Sequence, residues 1–229
     1  MQKEKNFKRL GLAFTLAEVL ITIVIIGVVA AITIPNISAD HRKKQLEARL
    51  LKFYSTMQRA IRLSEAYNGT KDTWDELGSG FVTDDDGNTQ SAALSWYNKY
   101  LKNYLVVMDV KAAYSGKLMI YFTDGSLALF SSASILFVPA AKDFLDWDEE
   151  TFSNNDNLRK ISGRRMFTFY FDSDYGVEPY TYNWDGERET LFTNSKLGCN
   201  RNATNHQAYC TQLIKLNGWK IPDDYPFGV

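Results

Sequence analysis

The chain has 229 residues, with 26 Lys and Arg against 27 Asp and Glu and a formal net charge of −1. So even a balance leaves no global electrostatic field to argue for nucleic acid. Once an apolar N-terminal segment is set aside, the length suits one globular domain with its own core, and the abundance of Tyr (13), Phe (14) and Trp (5) favours strands.

Residues 1–13 carry Lys3, Lys5, Lys8 and Arg9 against Glu4. Positive charge ahead of an apolar helix places the N-terminus in the cytoplasm, although Arg42, Lys43 and Lys44 follow on the other side. Residues 11–35, GLAFTLAEVLITIVIIGVVAAITIP, are an almost unbroken apolar run with one carboxylate, Glu18. Residues 12–34 span roughly 23 positions, and at about 1.5 Å per residue a helix of that length crosses a hydrocarbon core of roughly 30 Å. The expectation is a membrane helix. A secretory signal would have a shorter apolar core and a small-residue cleavage site beyond it, whereas Ile34-Pro35-Asn36 follows here.

A carboxylate in lipid costs on the order of 2–3 kcal/mol, so Glu18 needs a partner. Thr15-Leu16-Ala17-Glu18 fits a capping box, in which Glu18 reaches back to the Thr15 amide. The wider string Ala13-Phe14-Thr15-Leu16-Ala17-Glu18-Val19-Leu20 also resembles the processing and assembly signal of type IV pilins and type II secretion pseudopilins. That resemblance implies cleavage by prepilin peptidase between Ala13 and Phe14 and methylation of the new Phe14 amine. It also implies that Glu18 pairs with the terminal amine of a neighbouring subunit during assembly. The family usually has Gly before the cut; this chain has Ala13.

Pro35 lacks an amide and is expected to kink or loosen the helix without ending it, and Gly27 weakens it upstream. The helical pattern then resumes. Leu46, Leu50, Phe53, Met57, Ala60 and Ser64 form a narrow seam, widened by Leu51, Tyr54 and Ile61, and Asn68-Gly69 supplies a C-cap. A free-standing coiled coil is the competing reading of this stretch, but the seam is short of the sustained heptads it requires.

Residues 70–90 are polar and turn-rich, with Asp84-Asp85-Asp86-Gly87-Asn88 read as a solvated turn rather than a calcium loop. A short helix is predicted over 91–104. Strands over 117–123 and 126–131 flank Asp124-Gly125, a two-residue hairpin signal, and 133–139 forms the next strand. Residues 142–162 read as a loop or small helical excursion, and 166–172 as a strand. A further hairpin is predicted from 180–184 and 189–193 around Asp185-Gly186.

Four groups are candidate sites. Asp172, Asp174 and Glu178 are oxygen ligands at alternating positions around Gly176, the chemistry of calcium and equally that of a plain turn. Cys199 and Cys210 form a disulfide if the domain lies outside the cytoplasm, closing a loop worth about 3 kcal/mol in the chain-entropy model. Together with His206 they would be three of the four ligands of a zinc site. Arg159, Lys160, Arg164 and Arg165 form a local basic patch that can contact phosphates or simply be solvated. Asn202-Ala203-Thr204 matches a glycosylation sequon, and the aromatics of residues 219–227 can dock on the domain.

The fold class expected is α+β and pilin-like: a long kinked N-terminal helix, half membrane and half amphipathic, packed on an antiparallel sheet, with a C-terminal disulfide loop. The layout is a leader over 1–13, a membrane or filament-core helix over 14–35, an amphipathic helix over 36–68 and a β-rich head over 69–229. No nucleophile with a base, no phosphate cradle and no H-E-x-x-H is visible, so an enzyme is not expected. The resemblance implies a structural subunit of a type IV pilus or a secretion pseudopilus. It would be single-pass in a bacterial cytoplasmic membrane and then part of a filament, with no cofactor expected other than calcium at Asp172, Asp174 and Glu178. Its partners would be copies of itself or related pilins, prepilin peptidase, an inner-membrane assembly platform and, before assembly, lipid. The alternative is an anchored extracytoplasmic binding domain or enzyme that does not polymerise.

Overall fold

The computed structural model describes residues 15–83, 86–132, 134–144, 147, 151 and 154–228, with 30–39 and 143 described by backbone alone. The leader and the cut between Ala13 and Phe14 lie outside the described residues. The chain divides into two compact units, residues 1–42 and 43–229. The division falls inside the first helix rather than at Pro35.

That helix, α1 (Leu16–Asn68), is assigned without interruption through Gly27 and Pro35. Pro35 removes one backbone donor, which the neighbouring turns tolerate, so the expected loosening does not break the helix. Every described side chain from Leu16 to Val29 is exposed. Among the described residues no helix is long and apolar enough to cross a membrane. This corrects two expectations: the pilin-like fold with a kinked membrane half, and the single-pass placement in a bacterial cytoplasmic membrane.

In the second unit the fold is α+β. The predicted seam of α1 is buried at Leu46, Leu50, Phe53, Met57, Ala60, Ile61 and Ser64. Leu51 is 45 % exposed, because one residue along an α-helix turns the side chain by about 100°. The seam packs on a six-stranded sheet of β3 (Val107–Ala112), β4 (Leu118–Phe122), β5 (Leu127–Ser131), β6 (Ser134–Val138), β7 (Phe167–Asp172) and β8 (Gly176–Pro179). The strands neighbour one another in sequence order and every pair is antiparallel. The Asp124-Gly125 turn joins β4 to β5 as predicted. The Asp124 carboxylate accepts from the Ser126 amide at 3.0 Å, and Gly125 takes φ 79°.

Both faces of this sheet are apolar, and each is covered. Ile120, Phe130, Phe137 and Phe169 face the α1 seam, where Phe53 stacks on Phe137 with ring centroids 4.2 Å apart. Leu127, Leu129, Leu136 and Val138 point the other way, onto the 3-10 turn Ala141–Phe144 and a helix, α3 (Asn155–Ile161). The alternation follows from the two-residue period of a strand. Within residues 142–162 the small helical excursion is present as α3, and it forms part of the second cover of the sheet.

A two-stranded ribbon, β1 (Phe81–Thr83) with β2 (Thr89–Ser91), precedes α2 (Ala92–Tyr100). Both ribbon strands and β3 were missing from the sequence-based reading. Asp86-Gly87-Asn88 lies between the ribbon strands, whereas residues 84 and 85 lie outside the described residues. The hairpin expected around Asp185-Gly186 does not form. Asp185 instead accepts from the Glu187 amide at 3.0 Å and the Thr190 hydroxyl at 2.7 Å, leading into α4 (Thr190–Thr193). An Asp that bonds forward in this way competes with a strand ladder. The last helix, α5 (Cys210–Leu216), lies against β7, where the Thr168 amide donates to the Thr211 hydroxyl at 3.0 Å.

Candidate functional site

At the head of α1 the capping box is complete. The Thr15 amide and hydroxyl both donate to Glu18 Oε2, at 2.9 and 2.8 Å, and the Glu18 amide donates back to the Thr15 hydroxyl at 3.2 Å. Glu18 is thus engaged locally through one carboxylate oxygen. The apolar residues that follow are 45–79 % exposed from Leu16 to Val29. Most of this stretch therefore gains nothing from burial within the chain, although apolar area is worth about 25 cal/mol per Å² when covered.

Two of the three oxygen ligands of the calcium reading, Asp172 and Glu178, are spent separately. Asp172 Oδ1 accepts from the amides of Asp174 and Tyr175, each at 2.8 Å, closing the β7–β8 turn. Glu178 faces α1 and α5, bonded to the Tyr54 hydroxyl at 2.9 Å and paired with Lys215. Among the described residues no group of three or more His, Cys, Asp or Glu side chains is placed to hold a metal ion.

Cys199 and Cys210 are joined in a disulfide, so neither sulfur is a thiolate ligand beside His206. The bond crosses a small apolar cluster with Leu191, Tyr209, Leu213 and Phe227. The chain's end docks beside it. Tyr225 donates its hydroxyl to the Gly163 carbonyl at 2.6 Å, and Trp219 stacks over Phe169. Gly163 sits at φ 71°, and a Cβ there would lie 2.6 Å from Cys210 Sγ, so the turn and the disulfide can approach only because this residue has no side chain.

The basic residues divide. Arg159 and Lys160 of α3 and Arg164 of the following turn line one cleft of about 430 Å³, which Arg165 does not. The cleft is completed by Arg201 and Gln207 from the disulfide loop, by Phe227 and by Asp156. Arg201 and Gln207 were not among the sequence candidates. The available signal was their position between the two cysteines, whose bond folds that loop back. A second cleft, of about 580 Å³ and lined in part by Arg49, Asp109, Lys111 and Asp124, is electrostatically quiet. There Lys111 is paired to Asp109 at 3.1 Å, Lys52 to Asp124 at 2.8 Å, and Arg49 donates to the Pro139 carbonyl.

A six-stranded antiparallel meander covered on both faces and stapled at its C-terminal end defines a compact α+β domain. The chain belongs to a family described as a family of unknown function (DUF6613), which matches residues 36–229. The match begins just after Pro35, so the apolar N-terminal run precedes it. No curated protein matches the chain, and no solved structure matches it.

Proposed function

We propose that this protein is a structural subunit of a filament of the type IV pilus or secretion pseudopilus kind, cut before Phe14 by prepilin peptidase and assembled through the first half of α1. The observation that carries the reading is the exposed apolar stretch from Leu16 to Val29 behind the F-T-L-A-E string. So long an exposed apolar surface calls for a partner, and identical helices from other copies supply one of matching length and chemistry. The disulfide is consistent with assembly in an oxidising compartment. No catalysis is assigned.

Glu18 provides the register. Within a bundle of apolar helices its carboxylate would be cut off from water, and a buried charge without a partner is costly. Both bonds from Thr15 go to Oε2. Oε1 is the oxygen that would meet the Phe14 amine of a neighbouring subunit, and only the correct stagger would bring the two together. The test is mass and N-terminal sequencing of the protein in a sheared filament fraction, for the parent and for Glu18→Val. The expected result is a chain beginning at methylated Phe14 in the parent fraction, with Glu18→Val cleaved normally but absent from the filaments. Normal amounts of Glu18→Val in the filaments would overturn the register mechanism, and a parent chain beginning at Met1 would overturn the assembly reading.

A further inference from the structure

The cleft between α3 and the disulfide loop is a concave site with unspent polar groups. Four cations, Arg159, Lys160, Arg164 and Arg201, face one carboxylate, Asp156, in a protein whose overall charge is −1. The acid meets Arg159 Nη1 at 3.4 Å, which leaves the charges of Lys160, Arg164 and Arg201 in excess. Arg164 lies over the Phe227 ring at 4.8 Å, which fixes the plane of its guanidinium, and Arg201 is held by two 3.3 Å bonds to the Pro226 carbonyl. Two arginines are thus positioned before anything binds, which lowers the cost of ordering them around a ligand.

Gln207 says what else the ligand carries. It is 4 % exposed and lines the cleft, and its Oε1 is fully covered with no hydrogen-bond partner among the described residues. The Nε–H of Arg159 is likewise buried without an acceptor. Leaving such groups unmet costs roughly 1–3 kcal/mol each, and a ligand in the cleft meets the covered Gln207 Oε1 only when the side-chain amide turns toward it. An oxyanion satisfies the guanidiniums and the amide NH₂ of Gln207. It does not satisfy the Gln207 carbonyl, which needs a donor. We infer that the cleft binds a hydroxylated phosphoester, a phosphorylated polyol or sugar, with the phosphate on Arg159, Arg164 and Arg201 and a neighbouring hydroxyl donating to Gln207. The volume of about 430 Å³ suits such a ligand, free or as the head group of a lipid. The inference does not depend on filament assembly, because the cleft's described lining residues all lie between Asp156 and Phe227.

The experiment is titration calorimetry on the full chain in nonionic detergent with two probes, glycerol 3-phosphate and inorganic phosphate, beside flotation on phosphatidylglycerol vesicles. Glycerol 3-phosphate is expected to bind one to one, about tenfold or more tighter than inorganic phosphate. Arg164→Gln and Arg201→Gln should each weaken both probes by about tenfold. Gln207→Met should erase the preference for glycerol 3-phosphate while leaving inorganic phosphate unchanged. Flotation lost in Arg164→Gln, without binding of the free probe, would assign the same chemistry to a lipid head group. If neither probe nor vesicle binds, or binding survives the double variant of Arg164 and Arg201, the proposal is overturned. Retention of the disulfide and of near-ultraviolet circular dichroism separates a lost site from a lost fold.

Discussion

The two stretches of α1 have similar secondary structure and opposite fates. From Leu16 to Val29 the helix is apolar on all sides, and every described side chain is exposed. From Leu46 to Ser64 it is far more polar, yet a single stripe of it is almost wholly buried. The contrast teaches that hydrophobic content and core membership are separate properties. A helix joins a core when its apolar positions recur on one face that a sheet can cover, whereas the described stretch from Leu16 to Val29 offers no single such face and stays exposed.

The largest expected effect breaks the second stretch. Phe53 stacks on Phe137 and meets Phe122 and Phe169 edge-on, so Phe53→Ala should cost about 3–5 kcal/mol, read from urea unfolding. Ile21→Ala, in the exposed stretch, should change the same transition by less than about 0.5 kcal/mol. Equal effects would erase the distinction between the two stretches. Next in size is the disulfide lobe, whose apolar cluster is small. Replacing both Cys199 and Cys210 by Ser should lower stability by about 3 kcal/mol, measured by the shift of the thermal midpoint. The α1 seam should keep its amide exchange protection below that transition.

The smallest effect is a pH dependence. Burial holds His206 below its ordinary value, and its Nε2 is covered and unpartnered while Nδ1 lies 2.9 Å from Asn205 Oδ1. Below an unfolded value of about 6.5 the unfolded chain takes up a proton that the folded chain resists. Stability should therefore fall as pH drops through that value, levelling once the folded imidazole also titrates. His206→Gln should flatten this part of the curve, and an unchanged slope in the variant would show that another group is responsible.

Where the signal was local, the sequence was legible. The seam of α1 follows from periodicity, the β4–β5 hairpin from Asp124-Gly125, and β7 from a mostly aromatic run, each read from short-range spacing. Asp185-Gly186 carries the same dipeptide signal as Asp124-Gly125 but leads into a helix turn, because the Asp185 side chain bonds forward to Glu187 and Thr190. The β3 edge and the ribbon β1–β2 lack clean alternation, and only a neighbouring strand makes strands of them.

The sequence by itself determined the apolar run with its Thr15-Glu18 cap, the buried stripe of α1 and the nearness of the two cysteines, since all three depend on short-range spacing. Only the tertiary structure decided which apolar surface is covered, which residues extend the 142–162 segment into a second layer, and that Arg201 and Gln207 join Arg159, Lys160 and Arg164 around one cleft. Those outcomes depend on contacts between residues far apart in the chain, such as Phe53 with Phe137 and Arg164 with Phe227, and chain closure over such distances leaves no local pattern from which they could be read.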